Sequence, residues 1–234
     1  MSKLSFIVCT FSMLTPLASV VAQRNDSLNV KQLNEVVVTS TRGEKTVFQT
    51  PALIYAIGQE EIKTSQARST PELLMNQMGV FVQKTTHGAG SPFVRGLTGN
   101  QTLLLIDDIR LNNSTFRYGP NQYLNTIDAF TLGRAEVLLG TGSVQYGSDA
   151  LGGTIQLFTT DPQFNTGFGG RALGRWVSAG MEQSGRVEVR YGGANVAVQA
   201  GFTNRRFGNV LGGKNTGFQS PSGYKEQDFD LKAK

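Results

Sequence analysis

This 234-residue chain is nearly free of cysteine and histidine, with one of each, Cys9 and His87. A lone thiol excludes a disulfide scaffold. A lone imidazole excludes a histidine-based catalytic triad or a multi-histidine metal centre. Charge is scarce as well, at 17% of residues, against about 25% in ordinary soluble domains. That excludes a charge-rich disordered chain and a coiled coil. The apolar stretch Leu4–Leu17 is broken by Ser, Thr and Pro16, and it falls short of the roughly 20 apolar residues a membrane-crossing helix needs. No GxSxG motif occurs. Glycine, by contrast, is abundant, with 28 residues.

Lys3, the apolar stretch and the small residues of Ala18–Gln23, which end in Val20-Val21-Ala22, have the pattern of an export signal. Residues 1–22 are expected to be removed, leaving a mature chain without cysteine. The charge is unevenly spread. Residues 23–162 hold eleven basic and twelve acidic side chains, whereas residues 163–234 hold ten and five. The composition therefore changes near Pro162. Export argues against reading the basic excess as nucleic-acid binding.

Residues 23–45 read as a polar arm holding one β-branched run, Glu35-Val36-Val37-Val38-Thr39. Such a run is either an edge strand of the next domain or a strand held for addition to a partner's sheet. Residues 46–162 read as an α+β domain. Ala52–Ile57 is its first strand, and Ser69-x-x-Glu72 a capping box opening a helix with Leu73, Leu74 and Met78 as its apolar stripe. Val80–Lys84 and Phe93–Gly96 are strands around a Gly-rich loop that carries His87. Leu103–Ile106 is a buried strand that turns back at Asp107-Asp108. Residues 112–125 form a polar and aromatic loop. Arg134–Leu139 and Thr154–Thr159 flank a Gly-rich turn. Gly140-x-Gly142 opens like a dinucleotide fingerprint, but Gln145 stands at its third glycine position. Asp107 and Asp108 are adjacent, so they do not converge for paired carboxylate chemistry.

After Pro162 the period becomes two. Arg186, Glu188 and Arg190 alternate with Val187, Val189 and Tyr191; Asp228, Asp230 and Lys232 alternate with Phe229, Leu231 and Ala233. Segments of about ten such residues are the mark of a membrane β-barrel, and a soluble sheet with one wet face is the other option. About four strands fit in residues 163–234, and a barrel needs at least about eight, so an incomplete barrel is expected.

Three groups of residues now resemble one family. Leu33–Arg42 resembles the TonB box of TonB-dependent outer-membrane receptors. Phe93-Val94-Arg95-Gly96 with Leu103–Asp107 resembles their plug-domain pattern. Arg134-Ala135-Glu136-Val137-Leu138 with Tyr146–Ile155 resembles the pattern that closes the plug. Asp108 stands where the family usually has Gly, Gly133 where Glu is frequent, and Leu139-Gly140-Thr141 where Arg-Gly-Pro is usual. The missing Arg and Glu are charges that help seat the family's plugs.

The resemblance implies an α+β plug (residues 46–162) followed by the first strands of an antiparallel transmembrane barrel (163–234). It implies an outer-membrane transporter, not an enzyme, with no resident cofactor. TonB, driven by ExbB and ExbD, would capture Glu35–Thr39 by strand addition. Arg95, Gly96, Asp107, Arg134, Glu136, Gly147, Gly152 and Gly153 become structural plug residues, with Arg95 expected to pair with Glu136. A plug-only periplasmic module or the remnant of a broken receptor gene is the alternative. Asn112–Pro120 with Leu124–Asp128 look most like the haem and haemoglobin receptor branch, while siderophore and cobalamin receptors share the rest of the pattern. Phe116, Arg117, Tyr118 and Tyr123 are then candidate ligand contacts, and His87 a candidate haem axial ligand.

Overall fold

The computed structural model describes residues 36–37, 45–46, 52–112, 118–178 and 180–234. Two short strands come first, β1 (Val36–Val37) and β2 (Lys45–Thr46), and they pair antiparallel with each other in a sheet of their own. The expected β-branched run thus joins neither the main sheet as an edge strand nor stands alone. Glu35, Val38 and Thr39 lie outside the described residues.

The next domain runs β3 (Leu53–Ile57), α1 (Gln59–Ser65), α2 (Thr70–Leu73), β4 (Val80–Lys84), β5 (Gly90–Val94), β6 (Thr102–Ile106), β7 (Ile109–Arg110), β8 (Leu132–Leu139), α3 (Ser143–Tyr146) and β9 (Gly153–Thr159). Its main sheet has the order β3-β8-β9-β6-β7, in which only β6 and β9 run parallel. Leu104 faces a core of Ile57, Leu74, Val94, Leu124, Val137 and Leu157. Leu103 and Leu105 face the opposite side, against Ala150 and Tyr146. Burial on both faces explains why β6 reads as an unbroken apolar run rather than an alternating one. Asp107 and Asp108 follow with φ of 44° and 66°, the positive pair that a tight hairpin turn of this hand requires. Gly153 starts β9 where the chain has no room for a side chain. A Cβ there would run into the Leu138 carbonyl and lie 2.6 Å from Val94 Cγ1.

Two expectations need correction here. The capping-box helix is a single turn, and Ser69 makes no capping bond. Glu72 reaches back instead to the Arg68 N–H at 2.7 Å, so chain closure happens one residue earlier and Met78 is left outside, exposed. Phe93–Gly96 is not one strand either. The strand begins at Gly90, and Arg95-Gly96 forms the turn after it, with φ of 53° and 81°.

After Pro162 the chain forms β10 (Gly167–Val177), β11 (Glu182–Gly192), β12 (Ala197–Phe207), a small hairpin of β13 (Val210–Gly212) and β14 (Gly217–Gln219), and β15 (Tyr224–Ala233). The long strands make one antiparallel sheet, β10-β11-β12-β15. Its polar face is buried, with Glu182, Ser184, Arg186, Glu188, Gln199, Thr203 and Arg205 all shielded, while Val187, Val189, Phe202, Phe229 and Leu231 are exposed.

Near α2, Glu72 is gripped by Arg68 (2.9 Å) and Lys84 (3.0 Å). Burial opposes its charge, but the hydrogen bonds from Arg68 and Lys84 outweigh burial and hold its carboxyl at about 2, against 4.5 ordinarily. A carboxyl made more acidic by folding stabilises the fold above its unfolded pKa, and the contribution is lost as pH falls from about 4.5 towards 2. Glu72→Gln is expected to lower stability at pH 7 by about 3 kcal/mol at most, with the gap from the parent closing below about pH 3. Denaturant titrations at the two pH values check this; a gap independent of pH contradicts it.

Candidate functional site

The α+β domain and the four-stranded sheet meet at Asp128. This carboxylate caps the 3₁₀ turn Ala129–Thr131 by accepting the Phe130 N–H at 2.9 Å. The same group accepts the Thr203 hydroxyl at 2.5 Å and faces Arg186 at 3.4 Å. It also contacts the Arg205 guanidinium. Asp128, Arg186 and Arg205 are 5%, 1% and 2% exposed. Arg186 is shared with Asp230 (2.6 Å) and Glu188 (3.0 Å), so its charge is balanced from both sides of the contact.

Around this centre the sheet's arginines reach for backbone oxygens. Arg171 donates to the Phe130 carbonyl (3.3 Å) and to Glu188 (2.9 Å). Arg175 donates to the Ala67 carbonyl (2.9 Å) and pairs with Glu182 (2.8 Å). The Phe130 ring lies under two guanidinium groups, Arg175 at 4.9 Å and Arg205 at 4.8 Å, a contact that desolvation strengthens. Lower on the sheet, Lys232 joins Asp107 (3.2 Å) and Asp161 (2.5 Å). Asp107 also accepts the Thr159 N–H at 2.9 Å. A polar crevice of about 790 Å³ opens beside it, lined by Arg134, Arg190 and Lys232 among others. This arrangement holds two bodies together through exchangeable hydrogen bonds, and it offers no nucleophile beside a base. Among the described residues no cluster suits a metal ion.

Residues 46–154 match the family described as the TonB-dependent Receptor Plug Domain. These residues are a TonB-dependent receptor plug. The sheet that follows is the start of an antiparallel receptor barrel, and its polar inner face is the plug's seat. The Vitamin B12 transporter BtuB of Vibrio vulnificus (strain CMCP6) is 29% identical over 231 residues, covering 97% of this chain and 34% of that protein. The BtuB of Vibrio cholerae serotype O1 (strain M66-2) is 32% identical over 251 residues, covering 98% and 38%. The Hemin receptor of Yersinia enterocolitica is 28% identical over 158 residues, covering 66% and 22%. The chain thus spans about a third of the length of the B12 transporters it matches. The FrpB iron transporter of Neisseria meningitidis shares the fold, with a TM-score of 0.67 at 18% identity over 77% of this chain and 28% of that one. The relatives are transporters and receptors, not enzymes.

The plug residues expected from the sequence fall into two sets. Asp107 takes part in the seat through Lys232, and Gly152 and Gly153 sit at close backbone approaches. Gly147 occupies a positive-φ turn. Arg95 does not pair with Glu136. It lies exposed in its turn, and the buried Glu136 pairs instead with Arg134 at 3.2 Å, because Arg134 and Glu136 share one face of β8. His87 is turned inward: its Nδ1 lies 3.4 Å from Arg68 and its Nε2 is buried with no partner. The loop behind it presses on the stacked Phe207 and Tyr224 rings, so neither nitrogen is presented to a haem iron. Tyr118 and Tyr123 are exposed, whereas Phe116 and Arg117 lie outside the described residues. The seat itself, Asp128 with Phe130, Arg186 and Arg205, was not singled out from the sequence. Its signal was the row of charged residues at every second position of the barrel strands.

Removing the carboxylate leaves the buried Arg205 guanidinium without its ion-pair partner, while Arg186 keeps Asp230 and Glu188. Asp128→Ala is expected to destabilise the seated plug by about 3–5 kcal/mol and to admit large antibiotics through the complete receptor. Thermal unfolding and antibiotic sensitivity of cells measure the two effects, and unchanged values in both would contradict the role.

Proposed function

We propose that this chain forms the plug and first barrel strands of a TonB-dependent outer-membrane receptor that imports a metal chelate. The observation that carries the proposal is the inverted sheet. Cross-strand rows Ala172-Val187-Phe202-Phe229 and Gly170-Val189-Ala200-Leu231 face outward, while the charged rows face the plug. A lipid-facing apolar band over a polar interior suits a membrane barrel and leaves a water-soluble sheet without a partner for its exposed face. In this reading residues 1–22 direct export, and TonB with ExbB and ExbD supplies the force.

The Glu35–Thr39 segment serves as the TonB box. Among the described residues β1 and β2 pair through Val36–Thr46 and Val37–Lys45, and backbone bonds of this kind can be exchanged for those of a strand added from a partner's sheet. For the ligand, vitamin B12 and hemin share a macrocycle around a metal ion, and this shared chemistry names the first compounds to test, with ferric siderophores next. Tyr118, 84% exposed, presents a flat ring suited to stacking on such a ligand.

The test is uptake of labelled cyanocobalamin and growth on hemin by cells carrying the complete receptor, with and without functional TonB. Uptake of at least one that requires TonB is expected. Val36→Pro or Val37→Pro removes a ladder donor and should abolish uptake while ligand binding stays at the parental level. Parental uptake in both variants, or recovery of the protein in the periplasm, would overturn the proposal. His87→Ala should leave any hemin titration unchanged, because its ring nitrogens are turned inward; a lost Soret shift would contradict that.

A further inference from the structure

The outer face of the sheet carries a second feature that the seat does not explain. At one end, the outward row is Trp176-Gln183-Arg206-Lys225, joined strand to strand in register. Arg206 and Lys225 are direct cross-strand partners, and both are exposed. Like charges directly opposite each other destabilise a strand pair. Neither takes an ion-pair partner among the described residues, whereas Arg171, Arg175, Arg186 and Arg205 on the inner face all have one.

The end of the sheet can be assigned. Barrels of this kind have short periplasmic turns and longer extracellular loops. The connection between β12 and β15 spans residues 208–223 and leaves from the end bearing Phe207 and Tyr224. The opposite end carries the short 193–196 turn and the entry from the plug. The Arg206–Lys225 pair therefore sits towards the outside of the cell. Its height follows from the strand rise. Arg206 lies six residues beyond Ala200, whose row stands between the outward rows Phe168-Tyr191-Val198-Ala233 and Ala172-Val187-Phe202-Phe229. At about 3.3 Å per residue and a tilt of about 40° that is about 15 Å above the row. The apolar band is about 25 Å tall, so the pair stands just above its edge. Trp176 in the same row has the amphipathic ring that favours this level.

The geometry points to Arg206 and Lys225 as a binding site for the phosphate of an outer-leaflet lipid headgroup. The phosphate would sit between the two cations, neutralising a repulsion that the sheet leaves open, with the acyl chains running down the Phe202 and Phe229 rows. This rests on the outer-membrane reading above. It commits to a membrane lipid, since the pair faces away from the barrel interior.

The test uses the complete receptor in zwitterionic detergent, titrated with bisphosphorylated lipid A, with the same lipid dephosphorylated, and with inorganic phosphate, and read by native mass spectrometry. The R206Q/K225Q protein is expected to bind the phosphorylated lipid roughly tenfold to thirtyfold more weakly than the parent. The dephosphorylated lipid should not distinguish the two proteins. Inorganic phosphate at matched concentration should not displace the lipid. K214Q, in the connecting hairpin, should behave as parent. Equal lipid binding by parent and double variant, or full displacement by inorganic phosphate, would overturn the site. Heat-modifiable migration on gels shows that the double variant is folded. Fractionation of the parent with the outer membrane and its TonB-dependent uptake report separately on the underlying reading.

Discussion

A single buried carboxylate organises the contact on which this structure depends. Asp128 holds the Phe130 amide with one oxygen, which fixes the local turn, and its charge is spent on Arg186 and Arg205 from the barrel wall. Taking such charges out of water is costly, and the gain depends on good geometry with every remaining hydrogen bond made. Here Asp230, Glu188 and Thr203 complete the set around Arg186. The seat is thus specific rather than merely adhesive. A plug displaced by one strand register would leave several of these charges unpaired and buried.

The same contact has the properties a movable plug requires. An apolar interface would be strong and indifferent to direction. Hydrogen bonds from Arg171 and Arg175 to backbone carbonyls, with a polar crevice beside Arg171, can be exchanged for water one at a time. Charge-assisted bonds lost at a solvent-accessible crevice are partly replaced by solvent, so the contact can be loosened bond by bond. The family's usual Arg and Glu are absent at Leu139 and Gly133, and in this chain the interface charges come from Asp128, Asp107 and the barrel arginines.

Much of this was legible in the residues. The buried run of β6, the Asp107-Asp108 turn and the period-two alternation after Pro162 are local patterns, and each formed where expected. Alternation also separated the two faces of the barrel strands correctly, although the choice of which face is buried needed the plug to be in place. What failed were statements about long-range partners. Arg95 and Glu136 are 41 positions apart, and nothing local says that Arg134, two residues away on the same strand face, takes Glu136 first. His87 was a candidate ligand through the family resemblance of its loop, yet Gly88 beside it lets that loop lie against Phe207 and Tyr224. The capping box failed by one residue, since Glu72 was claimed by the Arg68 amide.

The account turns on which face of the β10-β11-β12-β15 sheet meets lipid and which meets the plug. Nitroxide labels placed one at a time at Val187, Phe202 and Phe229, and at Gly201 and Asp230, in the complete receptor reconstituted in bilayers, decide this by their collision rates with oxygen and with a water-soluble nickel chelate. The account predicts high oxygen and low nickel accessibility at the first three, and low accessibility to both at Gly201 and Asp230. Oxygen accessibility that is highest at Gly201 and Asp230, or nickel accessibility that is high at Phe202 and Phe229, would contradict it.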